Sequence, residues 1–265
     1  MPYAEVDGRR LYYQRRGSGA PLLLVQGMSG HHQFWGEPFL RMLEQDYDLV
    51  VYNHRGIGAS SRAEETFTIA DLADDAAGVI EAVGWSDAHV FGISLGGMIG
   101  QELMLRHPER VRTVTLGCTW AGGPDGVMGE VTGELVAAIG ARDVERVLHA
   151  GFRANLSARY RADPAAFTRY RDRVLAERVP APVVAMQFHA AMTLDTAARL
   201  PGVRTPTLVL HGTADEGIPW VNGQRIAELV PGARLELFDG AGHLFWWEEP
   251  ELTVALLRAH TKPHD

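Results

Sequence analysis

The sequence predicts an α/β protein built on a doubly wound, mostly parallel sheet of eight strands, with a helical segment inserted after the sixth strand. Short apolar runs without polar alternation recur along the chain, which is typical of strands buried on both faces. Helical patterns separate these runs, as parallel strands require. The alternation stops only between residues 121 and 202, where helical patterns continue without a convincing strand.

The strands follow the chain in order. Residues 3–6 and 9–14 flank Asp7-Gly8, a pair of turn residues that predicts a β-hairpin. Six further runs complete the predicted sheet: 21–25, 48–52, 88–91, 111–116, 207–210 and 233–238. With the two strands of the hairpin, these runs account for the eight strands.

The clearest helical pattern covers residues 69–83, where apolar side chains share one face and Thr68 is a suitable N-cap. A second begins at Leu95 and runs to about His107, ending before Pro108. Other helices are expected near 38–44, 221–230 and 250–260.

Loop-forming residues bound the inserted segment on both sides. Gly122-Gly123-Pro124 opens it, and Leu200-Pro201-Gly202 closes it. We therefore expect a core formed by residues 1–121 and 203–265, with residues 122–202 forming a helical cap over one end of the sheet.

Composition excludes several classes of protein. The 265 residues carry a net charge of −8, which disfavours binding to nucleic acid. No stretch approaches the roughly 18 apolar residues of a membrane span, and the first residues lack the apolar core of a signal peptide. Cys118 is the only cysteine, so neither an intramolecular disulfide nor a cysteine-bound metal is expected. These features predict a cytoplasmic protein without a membrane partner.

A candidate nucleophile lies where the strand near residue 91 meets the following helix. Gly92-Ile93-Ser94-Leu95-Gly96 has the spacing G-x-S-x-G, in which a tight strand-to-helix turn exposes the serine hydroxyl. Glycines leave room for neighbouring backbone, and the helix start places amide dipoles beside the serine. The alternative is a glycine-rich turn with an incidental serine.

A serine hydroxyl needs a base, and the base needs an acid that orients it. His243 follows the last predicted strand in Gly240-Ala-Gly-His, and Asp215 follows the strand before it. The chain order Ser94, Asp215, His243 is the order expected for a nucleophile, acid and base on a doubly wound sheet. Glu216 is an adjacent rival for the acid, and His211 is expected to be structural.

An oxyanion hole would complete this constellation. One donor is expected to be the backbone amide of Leu95, directly after the nucleophile. The other is expected from the loop after the strand at 21–25, with the backbone amide of Met28 as the natural choice.

These motifs, in this order, resemble those of the α/β-hydrolase superfamily. The matching segments are residues 26–28, 53–60, 92–97, 212–215 and 240–243. The chain looks most like small bacterial esterases and lactonases, including the branch similar to 3-oxoadipate enol-lactonase. In two places it departs from the usual pattern: Gln26 stands where histidine is usual, and Asn53 stands where aspartate is usual.

The resemblance implies the α/β-hydrolase fold and a serine hydrolase that needs no cofactor or metal. Because Ser94 occupies the position where haloalkane dehalogenases and epoxide hydrolases carry aspartate, acyl transfer is the natural chemistry. We expect hydrolysis of a carboxylic ester or lactone. A C–C bond hydrolase or perhydrolase using the same residues, and a non-catalytic small-molecule-binding protein, remain alternatives; a homodimer is also left open.

Large apolar side chains near the motifs and in the inserted segment suggest an apolar substrate. We expect substrate contacts from Trp35, Trp120, Phe152, Met186, Phe188 and Leu244, although aromatic residues at this density also build packing between cap and core. Residues 141–178 contain nine arginines and five acidic residues. This segment is expected to be a solvated helix face, with attraction of an acidic substrate as the alternative.

Overall fold

A computed structural model of the protein describes residues 2–141, 143–177 and 179–262. The ends of the predicted core, and Arg142 and Arg178 of the arginine-rich segment, lie outside the described residues. Eight strands form one sheet, in the order β1-β2-β4-β3-β5-β6-β7-β8. The strands are β1 Tyr3–Val6, β2 Arg9–Arg16, β3 Ala20–Val25, β4 Tyr47–Tyr52, β5 Ala88–Ile93, β6 Val111–Gly117, β7 Thr207–Gly212 and β8 Arg234–Phe238.

The pairing of these strands is mostly parallel. Strand β1 pairs with β2 and β2 with β4 in antiparallel fashion, whereas β4, β3, β5, β6, β7 and β8 pair in parallel. The predicted fold class, a mostly parallel eight-stranded sheet, is confirmed.

The central strands are buried on both faces because helices cover both sides of the sheet. In β3, Leu23 and Val25 join one apolar core, while Leu22 and Leu24 join the other. The uninterrupted apolar run at 21–25 reflects this double burial. The sheet is therefore a rigid platform whose parallel strands all end on one side.

Eleven α-helices are present in the described part of the chain. They are α1 Glu37–Leu43, α2 Ile69–Ala82, α3 Leu95–Arg106, α4 Glu130–Gly140, α5 Val144–Asn155, α6 Ala158–Arg161, α7 Ala166–Leu175, α8 Ala181–Met192, α9 Val221–Leu229, α10 Phe245–Glu248 and α11 Pro250–Thr261. Thr68 caps α2 as predicted, and its hydroxyl accepts a bond from the amide of Asp71. The sequence did not predict α10, a single turn stabilised by burial of Phe245 and Trp246.

The chain between β6 and β7 contains the five helices α4 to α8. Its edges meet in a single antiparallel bridge between Gly122 and Asp195. Contacts between α4 and α5 and between α5 and α7 hold the helices together. This arrangement agrees with a helical insertion, and its exact boundaries as a separate cap stay a prediction.

None of the helices in residues 2–141, 143–177 and 179–262 is both long enough and apolar enough to cross a bilayer. The cytoplasmic location expected from composition stays a prediction.

A buried ion pair fixes the loop after β4 to helix α2. The guanidinium of Arg55 donates to the carboxylate of Asp75 at 2.6 Å, and both side chains are almost entirely buried. A second bond runs from Arg55 to the backbone carbonyl of Asp71 at 3.0 Å. Removal of one partner would leave the other charge buried and unpaired, which is far more costly than loss of an exposed pair.

We therefore expect Asp75→Ala to lower the free energy of unfolding by about 3–5 kcal/mol. The matched control is Asp74→Ala, one residue earlier on α2, because Asp74 pairs with Arg106 at the surface. The control is expected to cost no more than about 1 kcal/mol. Urea unfolding of both variants measures the difference; equal losses would contradict the assignment of a buried anchor.

Candidate active site

Ser94 lies in the turn between β5 and α3, with backbone angles φ 54° and ψ −118°. An L-residue adopts a positive φ only at a cost, so surrounding contacts must hold this turn. The amide of Ser94 donates to the carbonyl of Gly117 at 2.8 Å, and the hydroxyl of Thr119 donates to the carbonyl of Ser94 at 2.8 Å. Both partners belong to the end of β6 and the residues after it, so the sheet itself fixes the serine.

Glycine is needed on both sides of Ser94 because backbone passes close by. A Cβ atom at Gly92 would overlap the carbonyl of Gly96, and one at Gly96 would overlap the carbonyl of Val25 at the end of β3. The G-x-S-x-G spacing thus has a steric origin in this chain.

Asp215 and His243 follow β7 and β8, and the structure brings them together. His243 Nδ1 lies 2.6 Å from Asp215 Oδ2, and both residues are buried. The other carboxylate oxygen, Oδ1, accepts bonds from the amides of Gly217 and Ile218, each at 2.9 Å. With Nδ1–H donating to the carboxylate, the remaining ring nitrogen, Nε2, is left to accept a proton.

His211 is a further neighbour of the acid that sequence reasoning treated as structural. Its Nε2 lies 3.3 Å from Asp215 Oδ2 and 2.8 Å from the carbonyl of Ile218. A ring that donates to this carbonyl also presents its N–H near the carboxylate. The signal in the sequence was the spacing of four residues between His211 and Asp215 across the end of β7.

The contacts between Asp215 and the two histidines shift the pKa of Asp215 down and the pKa of His243 up. Burial alone would raise the pKa of Asp215, but His243 and the hydrogen bond from His211 outweigh it and hold that pKa at about 2. Burial alone would lower the pKa of His243, but the negative charge of Asp215 and contact with Cys118 raise it above its ordinary value. A carboxylate is thereby kept charged beside a more basic imidazole.

Ser94 and His243 line one cavity, so the candidate nucleophile and base face the same space. Among the described residues, no hydrogen bond joins the Ser94 hydroxyl to the His243 ring. Catalytic hydrogen bonds are often long before substrate binds, so this separation is compatible with a serine–histidine pair.

Met28 and Leu95 also line this cavity. In the described part of the chain, the N–H groups of Met28 and Leu95 have no hydrogen-bond acceptor. Neighbouring amides are satisfied: Gly27 donates to the side chain of Gln26, and Ser29 donates to Gln187. Unpartnered donors near a nucleophile are the expected state of an oxyanion hole that awaits substrate.

The cavity has a volume of about 220 Å³, and helices of the inserted segment contribute a large part of its wall. Side chains from α4, α5, α7 and α8 line it, and most are apolar. Among its described lining residues there is no arginine, lysine, aspartate or glutamate. The space beside Ser94 therefore favours an uncharged, apolar group.

Three of the six predicted contact residues, Trp120, Phe188 and Leu244, line this cavity. The other three, Trp35, Phe152 and Met186, are not among the described residues that line it. Trp35 is 1% exposed and packs against Phe91 and Trp246 on one face of the sheet, which is the packing of a core residue; its expected substrate contact stays a prediction.

Phe152 and Met186 also lie outside the cavity lining, and their expected substrate contacts likewise stay predictions. The ring of Phe152 packs against Phe167 and Tyr170 within the inserted segment. Met186 packs against the apolar core on one face of the sheet. Phe152 belongs to α5 and Met186 to α8, and other residues of both helices line the cavity. Which side of a helix faces the cavity is decided by tertiary packing.

The remaining charged candidates lie on the surface. Glu216, the rival acid, is more than half exposed and faces Arg161 at 3.6 Å. Several arginines of the 141–178 segment are paired with acidic residues at the surface: Arg153, Arg159, Arg161, Arg169 and Arg171. These contacts favour a solvated helix face over a site for an acidic substrate.

Comparison with known proteins places this geometry in a family. A family model for the alpha/beta hydrolase fold matches residues 20–250. RutD of Azorhizobium caulinodans, a provisionally assigned carbamate hydrolase, is 32% identical over 97% of both chains.

Two solved structures are also similar. The enol-lactonase of Burkholderia xenovorans has a TM-score of 0.85 at 25% identity, covering 98% of this chain and 99% of that one. An esterase of Rhodococcus sp. has a TM-score of 0.85 at 27% identity, covering 96% and 95%. The resemblance to esterases and lactonases drawn from the motifs is confirmed at the level of the family branch, and these neighbours support hydrolytic activity.

The contact between Asp215 and His243 leads to a measurable pKa. Since the carboxylate stabilises the imidazolium, His243 is expected to titrate above its ordinary value of about 6.5. Asp215→Asn removes the negative charge, so the pKa of His243 should fall. An NMR titration of the imidazole resonances measures both values, with His243→Gln identifying the signal. Asp239→Asn, at an exposed position on the same side of the sheet, is the control; equal shifts in both variants would contradict the pairing.

Proposed function

The chain belongs to the α/β-hydrolase family, and on that premise we propose that it hydrolyses a carboxylic ester or lactone through an acyl-enzyme on Ser94. The observation that carries the proposal is the 2.6 Å contact between Asp215 and His243 at the wall of a cavity that also contains Ser94. The unpartnered amides of Met28 and Leu95 beside the same cavity support it.

In the first half of the reaction, the Ser94 hydroxyl attacks the substrate carbonyl while Nε2 of His243 takes its proton. The carbonyl oxygen becomes an oxyanion that accepts bonds from the amides of Met28 and Leu95. Asp215 stabilises the imidazolium. The protonated ring then donates to the departing alkoxide, the C–O bond breaks, and an acyl-serine remains.

In the second half, a water molecule enters as His243 takes one of its protons. The resulting hydroxide attacks the acyl carbon, and the same two amides stabilise the second oxyanion. When this intermediate collapses, the bond to Ser94 breaks and the serine oxygen recovers a proton from His243. The products are the carboxylic acid and the alcohol, or a hydroxy acid when the substrate is a lactone.

The cavity supports an uncharged substrate. An ammonium transferred into it would lose hydration without gaining a carboxylate among the described lining residues. A carboxylate would find a positive charge there only on a protonated His243, which could then not act as the base. Apolar side chains of α4, α5 and α8 instead suit a short alkyl or ring group attached to the carbonyl. The preferred substrate is therefore a neutral ester or lactone with an apolar acyl part.

Carbamate hydrolysis is the second candidate, because RutD of Azorhizobium caulinodans is 32% identical over nearly the whole chain. Attack of Ser94 on a carbamate carbonyl would use the same residues. The carbamate ion is small and negatively charged, however, and among the described lining residues only a protonated His243, which could not act as the base, would offer it a positive charge. Ammonia release from carbamate above the spontaneous rate, lost in Ser94→Ala, would favour this candidate over the ester.

Replacement of the nucleophile tests the proposed chemistry. We expect Ser94→Ala to lower kcat for p-nitrophenyl butyrate by at least ~10³-fold, because the acyl-enzyme is no longer formed. Release of p-nitrophenol measures the rate. Ser86→Ala, at an exposed position before β5, is the matched control and should retain the parent rate. Equal rates for Ser94→Ala and the parent would end the assignment.

The charge of the acyl group tests the proposed substrate class. Mono-p-nitrophenyl succinate has a four-carbon acyl chain like the butyrate ester but carries a carboxylate at its end. We expect its kcat/KM to be at least ~10²-fold lower than that of the butyrate ester, since burial of an unpaired charge costs several kcal/mol. Comparable values for the two esters would contradict the neutral-substrate proposal while leaving the serine mechanism intact.

A further inference from the structure

Three potential metal ligands meet where the inserted segment contacts the core, outside the proposed catalytic residues. His31 and His32 lie in the segment after β3, and Glu177 lies just after α7. The Nδ1 atoms of both histidines are 3.8 Å from the same oxygen, Oε2 of Glu177. The three ligand atoms lie within 4.8 Å of one another.

His31 directs an unused nitrogen into this cluster. The residue is 1% exposed, and in the described part of the chain its Nδ1 has no hydrogen-bond partner. Its Nε2 lies 3.2 Å from the carbonyl of Arg173, which only an N–H can satisfy. The proton of a neutral ring is thereby assigned to Nε2, and Nδ1 carries a lone pair that points towards Glu177.

His32 and Glu177 are held by neighbouring residues of the core. The amide of His32 donates to Asn53 Oδ1 at 2.7 Å, and the His32 ring nitrogen Nδ1 lies 3.0 Å from the same oxygen. Asn53 Nδ2 lies 3.5 Å from Glu177 Oε2. A Cβ atom at Gly58 would overlap Glu177 Oε1, so the carboxylate is seated closely against the loop after β4.

We propose that His31, His32 and Glu177 form a binding site for a divalent transition metal, with Zn²⁺ as the best match. Two imidazole nitrogens and one carboxylate oxygen are a ligand set that Zn²⁺ accepts, with a fourth position open to water. Tetrahedral ligands at about 2.0–2.1 Å from zinc lie roughly 3.3 Å apart. The two contacts of 3.8 Å to Glu177 would therefore shorten by about 0.5 Å, and the two imidazole nitrogens, which lie within 4.8 Å of each other, by up to about 1.5 Å.

Binding requires only one change of protonation within the cluster. His32 Nδ1 must present a lone pair, so the proton that it shares with Asn53 in the metal-free protein moves to His32 Nε2. That atom is buried and has no partner among the described residues. Asn53 then keeps its bond from the amide of His32 and orients Glu177 from outside the metal shell.

The metal would join two parts of the chain that frame the cavity. Glu177 follows α7 of the inserted segment, whereas His31 and His32 belong to the loop after β3 that also carries Met28. His31 itself lines the cavity. A bound ion would therefore fix the inserted segment against the core beside the substrate space, without contact to Asp215 or His243 being required.

Calorimetric titration of the chelator-treated full chain with ZnCl₂ tests the site. We expect one saturable site in the parent and at least a ~10-fold weaker affinity in Glu177→Gln, which keeps the size of the side chain but removes its charge. His31→Gln should weaken binding by a similar factor. Glu145→Gln and His149→Gln, at exposed positions of α5, are the matched controls and should bind as the parent does.

Two further measurements keep the test decisive. Zn²⁺, at a concentration that saturates the parent but not a tenfold weaker site, is expected to raise the Tm of the parent and of His243→Gln, and that of Glu177→Gln much less, because a native-state site stabilises the fold according to its occupancy. Circular dichroism checks that Glu177→Gln is folded. Absence of saturable binding, or equal affinity for the parent and Glu177→Gln, would overturn the proposal; loss of binding in His243→Gln would assign the metal to the cavity instead.

Discussion

The close packing of the turn at Ser94 against the end of β3 is the constraint on which the site depends. Gly96 allows the start of α3 to rest on the carbonyl of Val25, and the same approach brings Gly27 to the side of Ser94, where a Cβ would lie 3.2 Å from that of the serine. The tight turn at Ser94 thus coincides with close packing against the loop after β3, in which Met28 follows Gly27. The backbone strain at Ser94 is tolerated because Gly117 at the end of β6 accepts a hydrogen bond from the serine amide, and Thr119, just after β6, donates one to the serine carbonyl.

Burial of Asp215 requires that its carboxylate be stabilised by neighbouring donors, since an isolated carboxylate in this position would be protonated. The amides of Gly217 and Ile218 bind one of its oxygens, while His243 and His211 approach the other. The charge is thus stabilised entirely by groups at the ends of β7 and β8. Its pKa of about 2 and the raised pKa of His243 are two consequences of one contact. The imidazole of His243 is consequently more basic than a free imidazole.

The sequence was sufficient to predict the sheet and the order of the motifs along it, because apolar runs and glycine spacing are local signals. It was also sufficient to select the candidate residues Ser94, Asp215 and His243, because each follows the end of a predicted strand. The sequence could not predict whether Trp35, Phe152 and Met186 pack in the core or line the cavity, because an aromatic or sulfur-containing side chain suits both places equally well. His211 acquires its position near Asp215 only when the chain turns back after β7. The approach of Glu177 to His31 joins segments far apart in sequence, and no local pattern encodes it.

The relatives share a core but differ in the substrates that their names indicate, and the structure suggests where such differences arise. The candidate nucleophile, acid and base all follow strands, whereas much of the cavity lining belongs to the helices inserted between β6 and β7. In this chain those helices turn apolar faces inward and direct paired arginines to the surface. A substitution of Leu148 or Phe188 would change the volume of the cavity without touching the hydrogen bonds of Asp215. Substrate selection is therefore expected to vary with the inserted segment, while the residues proposed for acyl transfer are held by the ends of the strands.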